Sequence, residues 1–186
     1  MSWGHRGLAE LSLDLRHKLG MALCDELDAL EPATELLLRV IDDGMSTRLY
    51  HRICDERGLC YDVSAGYEAF VAGGIFDFAA EAAHERAPAV LDELFALIRE
   101  LRDQGPSHEE VEKAKRRLRW TFEAMPDDPA DMAGFVATGI LSGVAPTPAA
   151  RRDRLMAVPL EDVRRAANRL FQANALSVLA VGGAPR

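Results

Sequence analysis

Two strand-like runs follow one another directly in the middle of the chain, at 60–70 and 74–81, and this order restricts the fold more than any other feature. The link Val71-Ala72-Gly73-Gly74 supplies glycines for the positive φ angles of a hairpin turn. Strands joined in this way run antiparallel, whereas parallel strands need a long crossover between them. The pattern therefore does not fit a parallel, doubly wound sheet.

Strand and helix patterns on both sides of the hairpin complete an α+β order. Leucines alternate with polar residues at 8–16, which predicts a first strand, and two helices precede the hairpin. Five helices and a short apolar strand at 175–181 follow it. We therefore predict an antiparallel sheet with several helices packed on one face, in a single domain over 1–186.

Local signals mark the ends of several of these helices. The second helix is predicted to begin after a Ser46 or Thr47 cap and to run about three turns to Arg57-Gly58. The run Ser107-His108-Glu109-Glu110 is a capping box, in which a serine hydroxyl and a glutamate carboxylate bind free amides at a helix start. The helix after Asp128-Pro129 is predicted to direct an apolar face inward, formed by Met132, Phe135, Val136 and Ile140.

Composition excludes several classes of protein. The 186 residues are 48% hydrophobic and 28% charged, which is typical of a soluble globular protein. A net charge of -8 argues against nucleic-acid binding, which depends on clustered Lys and Arg. No apolar run reaches the roughly 18 residues of a membrane span, and the first residues lack the apolar core of a signal peptide.

The cysteines and histidines offer few candidates for catalysis or metal binding. Cys24, Cys54 and Cys60 are an odd number with no CxxC pair, which predicts free thiols and favours a cytoplasmic location. None of the five histidines lies in an H-E-x-x-H or H-x-x-E-H motif. A thiol enzyme with His51 as the base of Cys54 stays possible, although nothing in the sequence supplies an oxyanion hole.

A series of motifs in the middle of the chain follows the order of one known family. They read Asp43-Gly44-Met45-Ser46-Thr47-Arg48-Leu49-Tyr50, then Glu56-Arg57-Gly58-Leu59-Cys60-Tyr61-Asp62-Val63-Ser64-Ala65, then Gly74-Ile75-Phe76, then Ser107-His108-Glu109-Glu110-Val111-Glu112-Lys113-Ala114-Lys115. This order resembles the second, non-catalytic domain of the pitrilysin/insulinase-type zinc metallopeptidases, which include mitochondrial processing peptidase and bacterial zinc proteases. The resemblance extends over 36–183.

The resemblance implies a role in a two-part peptidase. In this family two similar α+β domains close like a clamshell around an unfolded peptide, and the zinc motif H-x-x-E-H lies in the first domain. We therefore expect this chain to be the non-catalytic half, either a partner subunit or a piece of a longer protein. It would bind no cofactor itself, and its partners would be a zinc-bearing catalytic domain and an unfolded peptide, with a homo-oligomer also possible.

The resemblance also assigns candidate site residues. The family's second domain often carries an arginine and a tyrosine that reach the substrate backbone, and the tyrosine corresponds to Tyr61. The arginine corresponds to Cys54, and a thiol cannot replace a charged, planar guanidinium. Arg57 is too close in sequence to take the same place, and Arg48 is expected to be structural. For Tyr61 two interpretations remain, substrate contact or packing of the ring in the core.

Two functions of different classes follow. The first is peptide binding as the non-catalytic half of a peptidase, with an exposed sheet edge able to pair with a substrate strand. The second is a structural or assembly subunit that keeps the fold and no longer handles peptides, which the cysteine at position 54 would permit.

Overall fold

The computed structural model describes residues 8–15, 30–70, 73–141, 147–172 and 176–181. Four strands form one antiparallel sheet in the order β2-β3-β1-β4. Their bounds are Leu8–Leu15 (β1), Asp62–Phe70 (β2), Gly73–Ala83 (β3) and Ser177–Val181 (β4). The predicted α+β class with an antiparallel sheet is confirmed.

Seven helices accompany this sheet in the described part of the chain. They are α1 (Glu31–Ile41), α2 (Arg48–Tyr50), α3 (Ala87–Asp103), α4 (His108–Ala124), α5 (Pro129–Leu141), α6 (Pro148–Met156) and α7 (Leu160–Leu170). The five helices predicted between the hairpin and the last strand are α3 to α7. None of the described helices combines the length and the apolar character needed to cross a bilayer.

The second helix is shorter and more irregular than the sequence predicts. Helix α2 spans only Arg48–Tyr50 and continues as a π-helical turn over His51–Asp55. Thr47 stands at the cap position, but its hydroxyl donates to the Gly44 carbonyl (2.8 Å) and does not accept from a helix amide. The predicted stop at Arg57-Gly58 agrees with the positive φ of Gly58, but the helical segment 48–55 is shorter than the three turns predicted.

The hairpin of β2 and β3 is antiparallel, as predicted, but its turn differs. Gly73 and Gly74 lie in strand β3 opposite Phe70 and Ala69, so they are strand residues and not the turn itself. The connection at 71–72 lies outside the described residues. The alternation of β3 determines which face of the sheet meets the helices, since the side chains of its even-numbered residues are buried, namely Phe76, Phe78, Ala80 and Ala82.

Aromatic rings join the sheet to the helix layer. Phe76 packs edge-on against Phe171, just after α7, with ring centroids 5.6 Å apart, and Phe78 lies 6.2 Å from the same ring. Helices α1, α3, α4 and α7 supply most of the remaining buried aliphatic side chains. The core thus lies between one face of the sheet and the helices.

Helix α5 follows its predicted orientation only in part, since Phe135 packs against the core but the rest of the predicted inward face is poorly covered. None of its residues is buried, and the residues expected to face inward include Val136, 45% exposed, and Ile140, 68% exposed. Its principal aromatic contact is a ring pair between Phe135 and Phe122 of α4, with centroids 6.2 Å apart. The apolar spacing correctly predicted a helix, but an apolar face need not be covered by the rest of the same chain.

The difference in burial between α1 and α5 can be tested by replacing one isoleucine of each helix with alanine. Ile41→Ala in α1 removes a side chain that is 0% exposed and should lower the free energy of unfolding by about 2–5 kcal/mol. Ile140→Ala in α5 should change it by less than about 0.5 kcal/mol, because its side chain is already in water. Urea unfolding followed by circular dichroism measures both. Equal losses at the two positions would mean that α5 is packed.

Candidate functional site

The segment between the π-helical turn and β2 forms the candidate site, and its path depends on one glycine. Gly58 has φ +55°, a left-handed conformation that other residues rarely adopt. Its amide donates to the Cys54 carbonyl (3.0 Å), and the Leu59 amide donates to the Ile53 carbonyl (3.0 Å). These bonds end the helical segment and reverse the chain, so that Cys60 returns to Cys54 and Tyr61 leads into β2.

Tyr61 lies on the surface, at the start of an edge strand. Its side chain is 94% exposed, while its backbone amide donates to the Glu81 carbonyl of β3 (3.3 Å). The interpretation of Tyr61 as a core ring is therefore wrong. What remains is a solvent-facing aromatic side chain on a backbone held by the sheet, which is a geometry suited to contact with another molecule.

Cys54, at the position of the family's arginine, is half-buried and lies beside a second thiol. Its Sγ is 3.5 Å from Sγ of Cys60, and both thiols are free, as predicted. His51 is not paired with this cysteine, since its Nδ1 lies 3.2 Å from a carboxylate oxygen of Asp55. The geometry therefore does not support a cysteine nucleophile with His51 as its base. Cys24 lies outside the described residues.

A chain of alternating charges holds the helical segment that precedes the site. We call it the charge ladder, and its members in order are Glu110, Arg48, Glu100, Arg52, Glu93 and Arg57. Arg48 and Arg52 share Glu100, each at 2.8 Å, and Arg52 and Arg57 share Glu93, each at 2.9 Å. Arg48 is thus structural, as expected, and Arg57 is occupied by Glu93.

Glu110 connects the charge ladder to the start of α4. One carboxylate oxygen accepts from the Ser107 amide (2.8 Å), which completes the predicted capping box, and the same carboxylate binds the Arg48 guanidinium in a two-point pair. Burial opposes ionisation of this carboxyl, but the bonds from Arg48 and Ser107 prevail and lower the pKa of Glu110. A single side chain thus caps α4 and anchors α2.

The basic face of α4 is not simply solvated. Lys113 donates to the carbonyl and hydroxyl of Ser46, and Arg117 donates to the carbonyl of Asp43 and to the hydroxyl of Ser46. These cations bind the loop before α2 because that loop presents several acceptors within their reach.

One backbone amide on the outer edge of β2 is already occupied. The Ala65 amide donates to a carboxylate oxygen of Asp42, at the end of α1, over 2.8 Å. Burial raises the pKa of Asp42, and this hydrogen bond partly opposes the rise. An incoming strand would have to displace Asp42 to pair at Ala65.

The described residues do not form a zinc site. In the described ranges no three His, Cys, Asp or Glu side chains come together in an arrangement that could hold a metal ion. The described histidines are His51, His84 and His108, and His5 and His17 lie outside these ranges.

The sequence analysis did not identify Glu93 and Glu100 as partners of the arginines in the charge ladder. Glu93 and Glu100 are seven residues apart on α3, and Arg48 and Arg52 are four apart, so each pair lies on one face of its helical segment. That spacing could have identified two complementary faces. It could not have shown that these faces meet, since 41 to 52 residues separate the partners.

Comparison with known proteins agrees with this architecture. The family model of the peptidase M16 inactive domain matches residues 19–118 of the sequence. A protein described as an uncharacterized zinc protease, from Rickettsia bellii, is 26% identical over 147 residues, which are 78% of this chain and 35% of that protein. The chain thus spans about a third of that relative's length.

Solved structures share the fold. The peptidase M16 inactive domain from Pseudomonas fluorescens superposes with a TM-score of 0.79 at 22% identity, over 94% of this chain and 40% of that one. A protease from Helicobacter pylori superposes with a TM-score of 0.76 at 16% identity, over 95% and 41%.

The charge ladder predicts an acid-dependent loss of stability. Because the pKa of Glu110 is lowered in the folded state, its ionised form stabilises the protein above the unfolded pKa of about 4.3, and this contribution is lost as the pH falls through the folded value. Glu110→Gln should lower the free energy of unfolding at pH 7 by about 1–2 kcal/mol. The difference from the wild type should shrink below about pH 4.

Glu109→Gln is the matched control, since Glu109 is an exposed residue at the same helix start. It should change stability by less than about 0.5 kcal/mol. Urea denaturation at a series of pH values measures both variants. A Glu110→Gln deficit that stayed constant from pH 7 to strongly acidic pH would contradict the role of the ionised carboxylate.

Proposed function

The chain belongs to the peptidase M16 inactive domain family, and on that basis we propose that it acts as the non-catalytic half of a zinc-dependent endopeptidase of the pitrilysin/insulinase type. In this role it closes the chamber and helps to hold an unfolded peptide. A separate zinc-bearing domain or subunit of the same family cleaves the peptide. Binding and confinement, and not bond cleavage, are then the contribution of this chain.

Tyr61 carries the proposal. Its ring is almost fully exposed, although the adjoining backbone is hydrogen-bonded into the sheet. A fixed backbone means that the ring loses little freedom when it binds, and an aromatic ring with a hydroxyl offers both apolar contact and a hydrogen bond. These properties support Tyr61 as a substrate contact.

The adjoining strand supports binding of an extended peptide. β2 is an edge strand of the described sheet, and main-chain pairing at such an edge tolerates varied side chains in the ligand. Because Asp42 occupies the Ala65 amide, we place the peptide contact at the start of β2, next to Tyr61. The peptide would then add to the sheet over a short stretch only.

The substitution at position 54 limits the strength of this contact. A guanidinium at this position would bind a peptide carbonyl or carboxylate through two donors, and the Cys54 thiol offers one weak donor. Arg57, three residues on, is paired with Glu93 and is not available as a replacement without breaking the charge ladder. We therefore expect peptide binding to depend mainly on Tyr61 and main-chain contacts.

The test is the affinity of the chain for a fluorescently labelled unfolded peptide, measured by fluorescence anisotropy. Tyr61→Ala should raise Kd about tenfold, a loss of about 1.4 kcal/mol, because an aromatic anchor is removed. Tyr61→Phe, which keeps the ring, should lose less.

Trp120→Ala is the matched control for an exposed aromatic ring, since Trp120 on α4 is 67% exposed. Its affinity for the peptide should equal that of the wild type. If Tyr61→Ala bound the peptide as tightly as the wild type, or if both variants lost affinity equally, the assignment of Tyr61 would be wrong.

A specific observation also favours the second function, an assembly subunit that handles no peptide. Helix α5 exposes Val136, Ile140 and Leu141, and apolar surface of this kind often marks a protein interface. In this case Tyr61→Ala would have no effect on peptide affinity, while Ile140→Asp would reduce concentration-dependent association measured by analytical ultracentrifugation. Peptide binding thus predicts a loss of peptide affinity in Tyr61→Ala, whereas the assembly function predicts a loss of association in Ile140→Asp.

A further inference from the structure

The thiols of Cys54 and Cys60 face each other, and the proposed peptide binding gives this pair no role. Sγ of Cys54 and Sγ of Cys60 are 3.5 Å apart, and both residues are half-buried, so neither is sealed in the core. A disulfide bond is about 2.0 Å long, so the two sulfurs need to approach by roughly 1.5 Å to form one.

The backbone brings these thiols together. Cys54 lies in the π-helical turn and Cys60 just before β2, and the turn at Gly58 folds the chain back between them. The hydrogen bonds that end the helical segment, from Gly58 to Cys54 and from Leu59 to Ile53, hold both sides of the turn. The pairing is therefore a product of the local fold and not of a chance side-chain orientation.

We propose that Cys54 and Cys60 form a modification site, at which a hydroperoxide converts the two thiols into an intramolecular disulfide that small thiols reduce again. This chemistry is independent of whether Tyr61 binds a peptide. Its location, one residue before Tyr61, places the new bond at the base of the segment that carries the exposed ring.

The reaction balances with hydrogen peroxide as the oxidant. Either thiol can start the reaction. When Cys54 does so, its thiolate attacks one peroxide oxygen, an S–O bond forms, the O–O bond breaks, and the leaving hydroxide takes up a proton to become water. The Cys60 sulfur then attacks the Cys54 sulfur, the S–S bond forms, the S–O bond breaks, and a second water leaves with the Cys60 proton. Two thiols are oxidised and one peroxide is reduced.

The ionisation of the two thiols determines how this reaction depends on pH. Burial raises the pKa of both, and the charge of nearby Asp62 adds to the rise. Their mutual hydrogen bond opposes the rise at Cys54 but increases it at Cys60, whose pKa reaches about 12. The thiolate that starts the reaction is therefore scarce at neutral pH, and we expect disulfide formation to become faster as the pH rises.

The sequence makes the product easy to identify. The test uses the full chain carrying Cys24→Ser, treated with hydrogen peroxide, denatured and digested with trypsin. Cleavage after Arg52, Arg57 and Arg86 gives peptides 53–57 and 58–86, each with one of the two cysteines. We expect them to remain joined, with the loss of two hydrogen atoms, and to separate on reduction.

Variants with Cys54→Ser or Cys60→Ser in the same background are the matched controls, and neither can form the intramolecular bond. Three results with the protein that keeps both Cys54 and Cys60 would overturn the proposal. They are oxygen adducts on separate peptides, thiols that do not react, and disulfides between two chains.

A second probe tests the proximity of the thiols without oxidation. Phenylarsine oxide binds two neighbouring thiols at once, with two As–S bonds formed and one water released. We expect about 10²-fold tighter binding to the chain with both cysteines than to either serine variant, because the second bond forms intramolecularly. Equal binding to all three proteins would show that the sulfurs do not come together.

Discussion

The charge ladder is the constraint on which the position of the candidate site depends. The helical segment 48–55 is far shorter than the roughly 12–15 residues that an isolated helix needs, so contacts with the rest of the protein must hold it. The fully buried side chains of Leu49 and Ile53 and the salt bridges from Arg48 and Arg52 to α3 and α4 together provide this support. Because each half-buried charge has an opposite neighbour, the segment avoids the penalty of an unpaired ion.

Everything that follows the segment takes its position from this attachment. The turn at Gly58 leaves from the end of the π-helical turn, and it places Cys60 beside Cys54 and Tyr61 at the start of β2. On the neighbouring edge, Asp42 occupies the Ala65 amide. One short stretch of chain therefore carries the exposed ring of Tyr61, the Cys54–Cys60 pair and the partly occupied edge of β2. The charge ladder holds one end of this stretch, and the Tyr61 ring lies in solvent.

The sequence was informative wherever the decisive interaction was local. The Ser107 capping box, the antiparallel hairpin and the five helices after it were correctly predicted, because they depend on residues a few positions apart. The family resemblance also identified the non-catalytic class of domain. Where the outcome depended on distant partners, the same patterns misled, as with the buried face assigned to α5.

The sequence by itself thus determined the order of the elements, the fold class and the family, since periodicity, caps and motifs are properties of neighbouring residues. Only the tertiary structure decided that the Tyr61 ring is in solvent, that Arg57 is held by Glu93, and that Arg48 connects α3 and α4. The physical reason is that burial and ion pairing depend on which surfaces meet. Partners that lie far apart in the sequence, such as Arg48 and Glu110 at 62 positions, are brought together only by folding of the whole chain.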